Sequence, residues 1–170
     1  MESSRSVMRR LLCALTVLGA ACSGTSAPSL TYPNLLGGWT GGMDVTLIQN
    51  GASGAINQCL VTLVIQSQNG GDFTGAFQAA PINGVTVAPC APLTSFSGKL
   101  SAIQPGQNAS DVDIVALPAD TPPGCTLLSQ TPLSGIVDQA GTNLGFIQTN
   151  RFQCGTLAPV QFIRFALQRR

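Results

Sequence analysis

The side chains that could do chemistry in this chain are few, and the cysteines come first. There are six, Cys13, Cys22, Cys59, Cys90, Cys125 and Cys154. Thiolates serve as zinc ligands, as nucleophiles or as disulfide partners. Zinc is disfavoured by ligand supply, because the chain has no histidine and no two of the last four cysteines are close in sequence. A thiol or hydroxyl nucleophile needs a neighbouring base, most often histidine or a buried carboxylate. The seven acidic residues are Glu2 and Asp44, Asp72, Asp111, Asp113, Asp120 and Asp138. Asp111 and Asp113 share one face of an extended chain but lack the further oxygen ligands that a cation needs, so they read as a solvated face. Asp72 and Asp138 lie in or beside turns and Asp120 in a Pro-rich loop, where aspartate is favoured by its local hydrogen bonds. The chemistry left is oxidation of Cys59, Cys90, Cys125 and Cys154 to two disulfides. No enzymatic activity, metal or cofactor is expected.

Disulfides require an oxidising compartment, and the N-terminus offers the route. Arg5, Arg9 and Arg10 precede an uncharged run over 11–21, the pattern of a secretory signal peptide spanning 1–21. The run is short for a membrane span. It closes on Leu18-Gly19-Ala20-Ala21-Cys22, which resembles the lipobox of bacterial lipoproteins, with Gly19 where the family usually has a larger aliphatic residue. The resemblance implies that Cys22 becomes a lipid-modified first residue and that the protein meets the membrane through this N-terminal anchor. Ser23, in place of the aspartate of inner-membrane lipoproteins, implies the outer membrane. The alternative is ordinary cleavage near Ala27, with Cys22 discarded. Residues 22–36, rich in Ser, Pro, Gly and Thr, read as a flexible tether. Roughly 135 residues, 37–170, then remain for one domain with one core.

Charged residues make up 9 % of the chain, against about a quarter in an average soluble protein. From Cys22 onward the basic residues are Lys99, Arg151, Arg164, Arg169 and Arg170, without a basic cluster. Nucleic acid is therefore not an expected partner, since its binding draws on counterion release by Lys and Arg.

Gly and Pro cut the chain into short runs that alternate apolar and polar residues, the period of strands and not of helices. With Trp39 inward, Met43, Val45 and Leu47 share its face; the same parity puts Phe73, Gly75, Phe77 and Ala79 inside, then Phe96, Gly98, Leu100 and Ala102. One motif recurs at these strands: Trp39-Thr40-Gly41, Phe73-Thr74-Gly75, Phe96-Ser97-Gly98 and Leu133-Ser134-Gly135. A bulky inward residue, an outward hydroxyl and an inward glycine suit a strongly curled sheet, the glycine admitting a bend or a neighbouring ring. Further strands are expected over 59–67, 110–117, 126–138 (broken near Pro132), 143–149 and 160–168. Eight evenly spaced strands with several hairpin joints predict an all-β, single-domain, antiparallel up-and-down eight-stranded barrel.

In such a meander the connections alternate between the two ends. Cys59 closes the first connection, and Cys90, Cys125 and Cys154 lie in the third, fifth and seventh, so all four gather at one rim. Neighbours around the rim pair as Cys59 with Cys90 and Cys125 with Cys154, or as Cys90 with Cys125 and Cys59 with Cys154. Pairing Cys59 with Cys125 would cross the mouth.

Gly37-Gly38-Trp39 resembles the lipocalin G-x-W at the start of the first strand. Residues 36–41 and 71–77 are similar to the opening and the second-to-third-strand hairpin of avidins. Together these point to the calycins, the group of eight-stranded barrels that holds both families. The resemblance implies that Arg169 packs on Trp39 as a structural plug closing one end, and that the barrel carries a ligand. Biotin is not expected, because avidins cage it with several tryptophans and Trp39 is the sole one here. Two functions follow. In one, a small apolar ligand enters at the cysteine-stapled mouth and meets Met43, Val45, Leu47, Phe77, Phe96, Leu100 and Phe165. In the other these side chains fill the barrel, and loops or outer wall contact an envelope protein, an inhibitor of a protease included.

Overall fold

Alternation of buried and exposed side chains along the strands builds the architecture. The structure, a computed structural model, describes residues 30–82, 88–90 and 93–170. Residues 1–21, expected to form a signal peptide, and Cys22 lie outside the described residues. Among the described residues nine strands follow in order: β1 (Gly37–Gln49), β2 (Ala52–Asn69), β3 (Asp72–Pro81), β4 (Leu93–Leu100), β5 (Ala109–Ile114), β6 (Thr126–Gln130), β7 (Leu133–Asp138), β8 (Asn143–Gln153) and β9 (Val160–Arg169). All pairings are antiparallel, and β1 pairs with both β2 and β9, which closes the sheet. The closed ring runs β1-β2-β3-β4-β5-β7-β8-β9.

The ring is thus the expected eight-stranded barrel, with β6 and β7 as the two halves of the broken strand. Both lie along β8, Thr126 opposite Gln153 at one end and Val137 opposite Leu144 at the other. Pro132 interrupts them because it has no N–H to give the ladder. Thr131 bridges the break, its N–H donating to Thr149 O at 3.0 Å and its Oγ1 accepting from Thr149 N at 2.9 Å.

Two expected boundaries are corrected. The first connection is only Asn50-Gly51, with φ of 51° and 77°, the left-handed pair of a tight Asn-Gly hairpin turn. Cys59 therefore lies inside β2, inward and buried, and not in a connection. The strand expected over 110–117 stops at Ile114, before Pro118, and Leu117 folds into the barrel mouth instead.

The recurring motif has a direct explanation between β3 and β4. Phe73 stands opposite Gly98 and Gly75 opposite Phe96, so each ring covers the other strand's glycine. The rings meet edge to face, with centroids 6.2 Å apart. A Cβ on either glycine would lie inside the facing ring's contact distance. Phe165 likewise meets Phe77 and Phe146 edge to face, at 6.4 and 6.1 Å.

The β7–β8 turn is held by Asp138. Its carboxylate accepts from Thr142 N (2.6 Å), Thr142 Oγ1 (2.6 Å), Asn143 N (3.2 Å) and Asn143 Nδ2 (2.7 Å). Partial desolvation works against the charged form, and these hydrogen bonds override it, holding Asp138 well below the usual carboxylate range. A depressed folded-state value contributes stability above the unfolded pKa of about 3.9, and that contribution is lost as pH falls towards the folded one. Asp138→Asn is expected to lower Tm at pH 7, with the gap to the native chain narrowing between pH 4 and pH 2. Thermal melts across that window check it, and a gap that stays constant would contradict the assignment.

Candidate functional site

The two ends of the barrel are built differently. At the end where β1 begins, Trp39 is fully buried and its Nε1 donates to Leu35 O at 2.9 Å. The Arg169 guanidinium lies 5.7 Å from the Trp39 ring centroid, within cation–π range. It also donates to the carbonyls of Asn34 (3.0 Å), Gly141 (3.2 Å) and Leu36. Gln68 accepts from Leu35 N at 2.7 Å and donates to Pro33 O at 2.8 Å. Thr31 forms a bridge with Ile103. Residues 31–36, read from sequence as part of the tether, are therefore docked across this end. The burial of Leu35 and these bonds to its neighbours' backbone are the reason. This end is a closed plug.

The opposite end carries the cysteines. Cys59 is bonded to Cys90 and Cys125 to Cys154, with Cα–Cα separations of 5.9 and 4.2 Å. This is the first of the two neighbour pairings. The first bridge is buried, while both cysteines of the second are half-buried. The second ties the loop over 115–125 to the β8–β9 connection.

That loop roofs the mouth through buried amides. Along β8 the inward face runs Leu144, Phe146, Gln148, Asn150 and Phe152, with the two amides set between apolar residues. Gln148 grips the backbone of Leu117 twice, its Oε1 accepting from Leu117 N at 2.7 Å and its Nε2 donating to Leu117 O at 2.9 Å. Gln130 Nε2 donates to the same carbonyl at 2.5 Å. Gln148 Nε2 also reaches Asn150 Oδ1 (3.0 Å), Asn150 Nδ2 reaches Gln161 Oε1 (2.8 Å), and Gln161 Nε2 reaches Asp120 O (3.5 Å). Among the described residues no buried side-chain N or O lacks a partner.

Sequence reasoning missed Gln148, Asn150, Gln161 and Leu117. The signal was present, since Gln148 and Asn150 continue the inward parity of Leu144 and Phe146, and Gln161 that of Ile163. Gln148→Leu would orphan the Leu117 N–H and strip its carbonyl of one donor, a loss of about 2–3 kcal/mol in urea unfolding. Amide exchange at Leu117 should accelerate together with it. An unchanged midpoint and unchanged exchange would refute the clamp.

The residues expected to line a ligand cavity separate into two groups. Met43, Phe77, Phe96, Leu100 and Phe165 are packed core, and the void lined by Val61, Leu63, Phe77, Phe146 and Phe165 is only about 10 Å³. A void that size holds no more than about one water. Leu47, together with the edge of buried Val45, borders a mouth recess of about 260 Å³ with Asn57, Gln161 and loop residues 120–123. Leu47 is only half-buried there, beside a shift in the β1–β2 register between Thr46 and Ile48.

Two larger grooves lie along the barrel wall. One, about 760 Å³, lies where β4 and β5 share only three paired positions, near Ser97, Lys99, Asp113 and Gln130. The other, about 500 Å³, crosses β7, β8, β9 and β1 near Ile136, Gly145 and Ala166. Asp111 and Asp113 point outward on β5, exposed. Lys99 pairs with Asp72 across the β3–β4 ladder, both exposed, so the pair adds little stability.

The class these features define is a closed, internally filled antiparallel β-barrel with a disulfide-stapled, loop-roofed mouth. The chain matches no protein-family model and no curated protein. Among solved structures it is similar to EF1p2_mFAP2b bound to DFHBI, at 16 % identity over 80 % of this chain and 94 % of that one, with a TM-score of 0.37. No functional weight rests on a likeness that distant.

Proposed function

We propose that this is an exported, non-catalytic binding protein that holds a small ligand at the barrel mouth and is anchored to the outer membrane by lipid on Cys22. The observation that carries the proposal is the 260 Å³ recess, set between apolar Val45 and Leu47 and the amides of Asn57 and Gln161. A concave site of mixed apolar walls and a few placed polar groups is the usual form of a small-molecule site. The two disulfides support an oxidising, exported setting. Because the chain enters at the Trp39 end, an anchor at Cys22 would turn the recess away from the membrane.

Native mass spectrometry of the full oxidised chain tests the ligand. A retained molecule of discrete mass, lost in a Leu47→Trp variant that fills the recess, is the expected result, and a bare chain in both proteins would count against it. The anchor has its own test. Radiolabelled palmitate should enter the native protein and not Cys22→Ala; equal labelling of both would exclude Cys22 as the site.

A second reading draws on the filled interior and on apolar side chains exposed on the outer wall, Leu60, Val64, Ile136 and Ile147 among them. In it the barrel is a scaffold that acts by contact with an envelope protein. Mutation of Ile136 and Ile147 to serine would then abolish function, whereas Leu47→Trp would leave it intact.

A further inference from the structure

The mouth recess has one ionisable group in its lining, Asp120. Asp120 is half-buried, and among the described residues its carboxylate has neither an ion-pair partner nor a hydrogen bond; Gln161 binds only its backbone carbonyl. The chain around it is free of compensating charge. Residues 45–57, 81–82, 88–90 and 154–160, the described residues at this end outside the roof loop, contain no charged residue. Arg151, Arg164 and Asp44 belong to the outward faces of β8, β9 and β1 and are exposed. An aspartate in the lining of a recess with no other charged residue favours a counter-charge there, and for a partly enclosed pair the attraction exceeds its value in bulk water.

We infer that the recess selects a small organic cation, its ammonium group against Asp120 and its apolar body against Val45 and Leu47. This rests on the proposed reading of the recess as a binding site. Anions would meet the Asp120 charge, and neutral analogues would fill the same walls without the ionic attraction. The volume, about 260 Å³, lies below the roughly 300–1,000 Å³ of pockets for drug-sized ligands, so the cation is smaller than those.

Cyclohexylammonium, cyclohexanol and cyclohexanecarboxylate form a matched set of probes, titrated at pH 7 into the full chain with both disulfides intact and followed by methyl NMR at Val45 and Leu47. Cyclohexylammonium should bind about tenfold more tightly than cyclohexanol, with the carboxylate weakest. Asp120→Asn should bring the ammonium and the alcohol within about twofold of each other while leaving the alcohol unchanged. Equal binding of the first two by the native protein, or selectivity that survives Asp120→Asn, would overturn the cation inference and leave the recess a binding site. No response to any of the three at Val45 or Leu47 would overturn the inference together with the reading of the recess.

Discussion

Replacing Trp39 with alanine is expected to cost about 3–5 kcal/mol of folding free energy, near the top of the range for single substitutions in a core. Three losses combine there. The largest buried side chain of the barrel leaves a cavity at the plugged end, the Leu35 carbonyl loses its indole donor, and Arg169 loses the ring it lies over. Because Leu35 is held to Trp39 on one side and to Gln68 on the other, residues 31–36 should loosen together with the plug. Trp39→Phe separates the contributions. It keeps a ring and removes the hydrogen bond, so about 1–2 kcal/mol should be lost, plus a smaller cavity term. Guanidinium chloride unfolding of the native chain and both variants reads these values. A loss below about 1 kcal/mol for Trp39→Ala would mean that the plug does not hold the barrel closed.

Removing the Cys59–Cys90 bridge as a double alanine variant is the second large effect. The bridge closes a loop of 31 residues, and the chain-entropy relation gives roughly 3–4 kcal/mol for a loop of that length. Both cysteines are buried, so the variant also loses packing where β2 meets the turn Ala88–Cys90. The Cys125–Cys154 bridge spans 29 residues, and the same relation gives nearly the same figure. Its consequence differs in place. Loss of Cys125–Cys154 should raise amide exchange over 115–125 first, because that bridge tethers the roof, while loss of Cys59–Cys90 should lower the global unfolding midpoint without selective exposure of Leu117. Identical exchange patterns in the two variants would contradict the distinction drawn between a core staple and a roof staple.

Strand parity made the barrel legible from sequence. Trp39, Met43 and Val45, Phe73 and Phe77, Phe96 and Leu100, and Ile163, Phe165 and Leu167 are buried along their strands as alternation requires, and the break at Pro132 falls between β6 and β7. The hairpin at Asn50-Gly51 was also written in the chain, yet the Gly, Ala and Ser residues after it hide a strand that carries little apolar signal. The mouth was legible least. Leu117 appears to alternation as one more strand residue, and only the amides of Gln130 and Gln148, which arrive from distant strands, draw it out of the ladder. The same distance effect hid the docking of 31–36. A Ser/Pro/Gly-rich composition says tether, and nothing local reveals that Gln68 and Arg169 will satisfy its backbone. The recess followed from the first of these, since Leu47 shares parity with the core and differs from it in being left half-buried beside the 120–123 loop.

Xenon enters apolar voids and needs no knowledge of the natural ligand, so methyl NMR of the full oxidised chain under xenon pressure tests the central claim, that the barrel is filled below and open for binding at its mouth. The methyls of Val45 and Leu47 should shift with xenon, while those of Val61, Leu63 and Leu133, around the 10 Å³ interior void, should stay fixed. Shifts at Val61, Leu63 and Leu133 would show that the interior admits a guest and would move the binding site from the mouth into the core of the barrel.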